Sequence, residues 1–214
     1  MDELVRRWQH GWGLCRGLPA AEERDGVLDV KLGLPGRDHE LFTLTDRTDL
    51  VSAHAAEVAR ATEPTWLTVT THRRDATAAV LEGAGLRLFA EPSLLMSTDL
   101  EKHPLAAAPA EYSVQVWSDG PLEYVRLIDA EGNVTAQGMV AVAGGDAVMH
   151  DIHTDPAHRR RGLGSVVMAE LSRRAVDRGA AAGLLMATTD GGHLYTKLGW
   201  STEAPMLTAT SQPN

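Results

Sequence analysis

The sequence predicts a mixed α/β (α+β) fold in which a mainly antiparallel, twisted sheet is flanked by helices. In the C-terminal half, four short segments of alternating apolar and polar residues are separated by turn residues, as in an antiparallel meander. A long amphipathic segment, residues 163–178, then ends at Gly179, a residue that commonly terminates helices. In the N-terminal half, short β-branched segments alternate with helical ones, which predicts an α/β half.

The N-terminal half opens with an apolar stripe at helical spacing, which predicts a helix before the turn around Gly17 and Pro19. Alternation and β-branched content predict five short strands after it, and Ala-rich periodic segments predict two helices. The strands are residues 27–32, 41–44, 66–71, 87–89 and 94–98, and the helices are residues 49–61 and 76–83.

Residues 101–111 contain Pro104, Pro109 and four alanines with little periodicity, which predicts a linker. The linker would separate an N-terminal α/β region, residues 1–100, from a C-terminal domain, residues 112–214. In that domain we predict a four-stranded meander, the helix over 163–178, a buried strand and a short helix capped by Asp190 before a last strand. The strands are residues 112–117, 123–128, 134–142, 148–154, 184–187 and 200–210.

Two segments of the chain resemble one another. Leu67-Thr-Val-Thr-Thr71, a short helix, a Gly turn and a strand parallel Leu185-Met-Ala-Thr-Thr189 and the elements after it. A degenerate duplication and the chance recurrence of a common strand–helix–strand unit both explain this similarity. If the halves are duplicates, the N-terminal copy has lost its chemistry, because nothing near residues 45–50 resembles the Arg/Gly turn described below.

Composition excludes several classes of protein. The 214 residues are 43% hydrophobic and 23% charged, as in globular proteins, and the net charge of −9 argues against nucleic-acid or anionic-membrane binding. The sole cysteine, Cys15, allows no intramolecular disulfide, and we favour a small apolar role for it over a nucleophile. No apolar run resembles a signal peptide or membrane span, so we predict a cytoplasmic location.

A basic turn precedes the predicted helix over 163–178 and reads Arg159-Arg-Arg-Gly-Leu-Gly164. The first N–H groups of the helix and its dipole favour an anion there, and the two glycines allow close backbone approach. The turn is therefore suited to a pyrophosphate. A solvated basic helix start without a ligand is the alternative. A Rossmann site fits worse, because position 167 is Val and the preceding strands form a meander.

Together with a second motif, this turn resembles the GNAT superfamily of N-acetyltransferases. Arg159-x-x-Gly162-x-Gly164 matches the pyrophosphate loop of that family, and Tyr195-x-x-Leu198-Gly199-Trp200 matches its late Tyr-x-x-Leu-Gly-Phe-like segment. The resemblance covers about the last hundred residues. It implies the GNAT-like fold and an acyl-coenzyme A-dependent transferase.

The resemblance also implies where acetyl-CoA, as co-substrate, binds: in a wedge between the strands ending at Thr154 and Ala187. Backbone groups would pair with the pantetheine arm and the turn would hold the pyrophosphate, while Thr188 stands where many relatives have a cofactor-contacting Asn. The cofactor-binding residues implied are Ile152, His153, Thr154, Arg159, Arg160, Arg161, Gly162, Leu163, Gly164, Ser165 and Thr188.

In the family's direct mechanism, an amine attacks the thioester, and Tyr195 matches the general acid that protonates the departing thiolate. A phenol suits that role at neutral pH, although a structural tyrosine is the alternative. His150 is the candidate base, against a water relay or a packed strand histidine. Strict alternation would turn Asp151 and His153 to the other face of the strand, which speaks against a metal site, although a bulge would change that.

One departure from the family concerns the acceptor. Relatives place two helices between their first and second strands, but here only residues 118–122 separate the predicted strands. The N-terminal half or a second chain, as in a homodimer, must cover that side. The leading hypothesis is acetyl transfer to an amine of a small molecule or peptide. An inactive CoA-binding sensor or interaction module is the alternative, and the acidic charge opposes a nucleic-acid-binding protein using residues 159–161.

Overall fold

Twelve strands form one continuous sheet in the computed structural model, which describes residues 1–211. The last three residues of the predicted C-terminal domain lie outside this range. The N-terminal half contains α1 (Asp2–Cys15), β1 (Glu22–Arg24), β2 (Val27–Leu34), β3 (Arg37–Thr43), α2 (Thr48–Arg60), β4 (Thr65–Thr70), α3 (Arg74–Gly83), β5 (Arg87–Leu88) and β6 (Ser93–Asp99). The C-terminal half contains β7 (Ser113–Asp119), β8 (Leu122–Ile128), β9 (Val134–Ala143), β10 (Asp146–Thr154), α4 (Leu163–Asp177), β11 (Ala182–Ala187), α5 (Thr189–Lys197) and β12 (Ser201–Thr210).

The predicted fold class is confirmed, and each predicted helix and strand falls on an observed element. Strand β1 escaped prediction because its three residues, Glu-Glu-Arg, show no apolar alternation. The turn after it, Asp25-Gly26, has positive φ at both positions, 46° and 79°, as a tight hairpin turn requires. That dipeptide was the signal available for β1. Strand β3 also begins four residues before its predicted start, over the polar residues 37–40.

The two halves repeat one topology and exchange their last strands. In each half, two antiparallel strands are followed by a helix and then by a strand that runs parallel to the second of the two. The antiparallel pairs are β2 with β3 and β9 with β10, and the parallel pairs are β3 with β4 and β10 with β11. The final strand then crosses over: β12 pairs with β4, β6 pairs with β11, and β6 and β12 pair with each other. The two segments that resemble one another in sequence lie on β4 and β11. A common origin of the halves, like the division at 101–111, stays a prediction.

Helix α4 covers one face of the C-terminal strands. Ile152 of β10 reaches across Gly138 of β9 toward Val167 and Leu171 of α4, so close that a Cβ on Gly138 would lie 2.5 Å from Ile152 Cδ1. The helix is also tied to β8, where the buried carboxylate of Glu123 accepts hydrogen bonds from Arg174 and Arg178. These contacts hold the middle and the C-terminal end of α4 on the sheet.

Helix α1 lies on the opposite face and follows β10. Arg7 Nε donates to Asp146 Oδ2 at 2.9 Å, Gly11 packs on Val148, and Cys15 Sγ lies 3.6 Å from the Val148 oxygen. Burial raises the pKa of the Cys15 thiol to about 12, which supports the inert role expected for it. The helix therefore ends beside the residues that follow Val148.

An aromatic cluster joins α1 to the N-terminal half. The ring centroids of Trp8, Trp12 and Phe42 of β3 lie 5.3 to 5.8 Å from one another. All three side chains are buried and contact aliphatic residues of both halves, including Leu184 and Met206. Because large aromatic side chains contribute most of the apolar burial, this cluster anchors α1 on the sheet.

We expect Gly11→Ala to destabilise the protein by about 1–3 kcal/mol. An added Cβ would lie 2.2 Å from Val148 Cγ2 and 2.6 Å from its Cβ, so α1 would have to move away from β10. Gly13→Ala on the same helix is the matched control, because its Cβ would meet only Gln9 Nε2, at 3.6 Å. Ala raises helix propensity by about 1 kcal/mol, so that variant should be more stable. Urea unfolding measures both, and equal effects would contradict this packing.

Candidate active site

The site begins where two parallel strands separate. β10 and β11 pair only through Asp146–Val148 and Ala182–Leu184, after which the strands diverge. A cleft of about 270 Å³ lies in the resulting gap. Its walls come from both strands, from α1 and from α5, and the lining residues are Trp8, Trp12, Met149, His150, Asp151, Ile152, Leu185, Met186, Ala187, Thr188, Gly191 and Tyr195.

A bulge in β10 changes which side chains share a face. His150 pairs with Met139 and His153 pairs with Gln137, so three steps on β10 oppose two on β9. The extra residue is Asp151, whose φ is 52°. Met139 and Gln137 are two residues apart and therefore point to one face. The expectation from strict alternation is thus wrong: His150 and His153 lie on the same face, the one covered by α1.

The bulge also removes the argument used above against a metal site at these histidines. Among residues 1–211, three or more His, Cys, Asp or Glu side chains come close enough to share an ion at one place, Asp38, His39 and Glu63. None of the three lines the cleft. The absence of a metal from the reaction stays a prediction.

His150 is held in its neutral form. Burial lowers the pKa of the imidazole, the positive charge of Arg16 lowers it further, and Asp151 opposes them. The ring is therefore uncharged at neutral pH and its nitrogen is able to accept a proton. A charged histidine could not do so.

Tyr195 reaches the same cleft from α5. Its side chain is 8% exposed, and burial raises the pKa of the phenol to about 12. The hydroxyl therefore keeps its proton throughout the physiological range and is able to donate it. The two residues predicted from separate motifs, Tyr195 and His150, thus line one cavity.

The basic turn has the geometry of an anion site. Gly162, which precedes α4, has a φ of 79°, and Arg160 has a φ of 65°. The amides of Ser165 and Val166 donate to the Gly162 oxygen, whereas the first N–H groups of a helix, here those of Leu163 and Gly164, have no acceptor within it. A Cβ on Gly164 would lie 3.1 Å from Leu194 Cδ2 and 3.7 Å from Thr154 Oγ1. A side chain at position 164 would therefore crowd the turn between Leu194 and Thr154.

The three arginines of the turn have different surroundings. Arg159 Nε donates a long hydrogen bond, 3.4 Å, to the Thr154 oxygen, and Arg160 is exposed. Arg161 Nη1 donates to the Tyr112 hydroxyl at 2.9 Å, and that hydroxyl also lies 3.0 Å from His158 Nδ1. Tyr112 therefore anchors the turn, a role that no pattern in the sequence indicated.

Thr188, not Asp190, caps α5. The Gly191 amide donates to Thr188 Oγ1 at 3.1 Å, and the backbone of Thr188 is extended, as in an N-cap residue. Asp190 is the second residue of the helix, two positions after the N-cap, and so does not cap it. Thr188 also lines the cleft at the end of β11, where a cofactor contact was expected.

Sequence reasoning missed the part of the cleft that comes from α1. Trp8 and Trp12 close it from the face on which His150 lies, although more than 130 residues separate them from β10 in the chain. Their helical spacing indicates an apolar face but not the surface that this face covers.

Comparison with known families decides the assignment. The model of the Acetyltransferase (GNAT) family matches residues 89–200, more than half of the chain. The chain belongs to the GNAT family. It is therefore an acyltransferase, as the two sequence motifs predicted. A comparison with curated proteins gives no match.

Solved structures show the same fold over nearly the whole GNAT chain. A GCN5-related N-acetyltransferase from Kribbella flavida is 17% identical, with a TM-score of 0.70 over 98% of this chain and 95% of that one. One from Sphaerobacter thermophilus is 12% identical, with a TM-score of 0.65 over 88% and 78% of the two chains. A tandem GNAT protein from the clavulanic acid biosynthesis pathway is 16% identical, with a TM-score of 0.58 over 82% and 76%. Among residues 1–211, no helix of this GNAT protein is long and apolar enough to cross a membrane.

We expect the His150 ring to titrate below the usual range of histidine, and Arg16→Gln to raise its pKa. The substitution removes one of the positive charges that disfavour the imidazolium ion. NMR titration of the His150 ring protons, assigned with His150→Gln, measures this. Arg60→Gln, which removes an exposed guanidinium from the end of α2, is the control. An unchanged titration in Arg16→Gln would show that Arg16 does not act on His150.

Proposed function

We propose that this GNAT protein is an acetyl-CoA-dependent N-acetyltransferase that transfers an acetyl group directly to an amine of a small molecule or peptide. The observation that carries the proposal is the meeting of a neutral histidine and a protonated tyrosine, His150 and Tyr195, in one cleft. The anion-binding turn lies at the end of the same strand, β10.

The residues around the cleft fit acetyl-CoA. Beyond Val148 the edge of β10 that faces β11 pairs with no strand within residues 1–211, so the backbone groups of residues 152–154 are available to the pantetheine arm. The amides of residues 160–165 would hold the pyrophosphate, and Gly164 leaves the space that a side chain would fill. Arg159 and Arg160 would add charge there, whereas Arg161 would act mainly by orienting the turn through Tyr112.

Two proton transfers are required of the chain. Acetyl-CoA supplies a thioester whose carbonyl carbon is attacked by the amine nitrogen. His150 would take the proton that the amine loses, directly or through a water. Tyr195 would donate its hydroxyl proton to the departing sulfur, so that free CoA thiol leaves and the new amide remains. Tyr195 then regains a proton from solvent, and His150 releases to solvent the proton that it took from the amine.

The acceptor side is formed by the N-terminal half. The hairpin between β7 and β8 is a tight turn without helices, and α1 lies over β9 and β10 in their place. The position of α1 supports an enzyme over an inactive CoA-binding module, because the two predicted catalytic residues, His150 and Tyr195, then line one cavity. A cytoplasmic location, the option of a homodimer and the lack of nucleic-acid binding stay predictions.

Acetyl-CoA should raise the melting temperature of the protein, because it binds only the folded state. Gly164→Trp should abolish the shift by filling the turn, and desulfo-acetyl-CoA analogues should still shift the wild type. Gly145→Trp is the matched control, since a Cβ on this loop glycine meets no atom within 4 Å and the loop lies at the other end of β10. An equal shift in Gly164→Trp and wild type would contradict the proposed site.

Tyr195→Phe should lower kcat by about 100-fold while the Kd for acetyl-CoA changes little, because general acid catalysis contributes about 10²–10⁴-fold to rates. In the wild type no loss of activity from tyrosine ionisation should appear below about pH 11, since the phenol has a pKa of about 12. Release of CoA, followed against pH, measures both. Equal turnover by the variant would remove Tyr195 from the mechanism.

A further inference from the structure

Arg16 stands beside the cleft at the end of α1. The helix places it there, because Arg7 contacts Asp146, Gly11 packs on Val148, and Cys15 Sγ lies 3.6 Å from the Val148 oxygen, two residues before His150. The guanidinium Cζ lies 5.0 Å from the ring centroid of Trp12, a residue that lines the cleft. Its charge also lowers the pKa of His150, as a nearby cation does to an imidazole.

The guanidinium of Arg16 has no acceptor. Within residues 1–211 it forms no hydrogen bond or ion pair, and its Nε–H is buried without a partner. A buried donor left unpaired costs free energy, so such groups are uncommon unless a ligand or water satisfies them. The stack on Trp12 orients the guanidinium but provides no oxygen for its N–H groups.

The neighbours of Arg16 add to this cost. Arg37, whose Cζ lies 5.8 Å from the same Trp12 ring, forms an ion pair with Glu40. The carboxylate of Glu40 is therefore already paired, and a second cation lies near the same Trp12 ring. Burial and then the charge of Arg37 lower the pKa of Arg16, with Glu40 opposing them. In a chain with a net charge of −9, this is a locally positive place whose charge an anion would neutralise.

We propose that Arg16 binds an anionic group, a carboxylate or a phosphate, on the acceptor, so that the substrate is an amine carrying its own negative charge. The proposal rests on the proposed function, because it takes the cleft beside His150 as the place where the amine reacts. The planar guanidinium forms two parallel hydrogen bonds to either group. The acceptor would then lie along Trp12, with its amine toward His150 and its anionic end at Arg16.

The test compares matched amines that differ in the anionic group. The pairs are β-alanine with propylamine, γ-aminobutyrate with butylamine, and phosphoethanolamine with ethanolamine, each assayed for CoA release with acetyl-CoA. We expect higher kcat/KM for the anionic member of at least one pair, and the pair that shows it reports the spacing and the kind of anion. Preference for the neutral member in every pair would overturn the proposal.

Three variants separate binding of the anion from other effects. Arg16→Gln should lower kcat/KM for the preferred anionic amine by about 10- to 100-fold more than for its neutral partner, mainly through KM, because the accompanying change in the pKa of His150 affects both amines alike. For the anionic amine, the kcat/KM of Arg16→Lys should lie between those of wild type and Arg16→Gln, because lysine keeps the positive charge but cannot form the two parallel hydrogen bonds of a guanidinium. Arg60→Gln should behave as wild type. Equal losses for both members of the pair would mean that Arg16 acts on the cleft as a whole, and would overturn the proposal.

A binding measurement keeps this proposal distinct from the proposed function. The melting temperature is recorded with the amino acid alone, without acetyl-CoA, for wild type and Arg16→Gln. If acetyl-CoA binds and neutral amines are the better acceptors, the proposed anion site is wrong and the proposed transferase activity is supported. If no amine is acetylated but γ-aminobutyrate stabilises the wild type and not Arg16→Gln, the transferase fails and the anion site stands. Arg16→Gln and Arg16→Lys should both fold, since within residues 1–211 the guanidinium of Arg16 forms no hydrogen bond that the substitution would remove.

Discussion

The parallel pairing between β10 and β11 stops after three residues, and the rest of the site depends on where it stops. Up to Val148 the two strands satisfy each other's backbone groups. Beyond that point the strands separate, and the bulge at Asp151 bends β10 away while its other edge stays paired with β9. Backbone donors and acceptors on the inner edge are thereby left for a ligand. Had the pairing continued, the gap would close and His150 would lie in an ordinary sheet.

Helix α1 adds a wall to this gap, through Trp8 and Trp12. Most of its contacts reach across the chain, to β10 in the C-terminal half and to Phe42 in the N-terminal half. Through Trp8 and Trp12 of α1, the N-terminal half becomes part of the walls around the chemistry. The turn between β7 and β8 contains no helix, and α1 of the N-terminal half covers this face of the C-terminal strands instead.

One physical effect prepares both candidate catalytic groups. Burial disfavours whichever protonation state is charged, so it lowers the pKa of His150 and raises that of Tyr195. The histidine is consequently a free base and the tyrosine a protonated acid at the same pH. Arg16, beside the cleft, strengthens the first of these shifts.

The sequence by itself determined the family and every element except β1, because these depend on local patterns. Periodicity located the helices and strands, and the turn of residues 159–164 with the segment of residues 195–200 identified the acyltransferase, since each motif is contiguous. It could not place His150 and His153 on one face, because a bulge depends on pairing with β9. Nor could it bring Trp8, Trp12 and Arg16 to the cleft. Those contacts join residues more than 130 positions apart, and only the packing of α1 on β10 decides them.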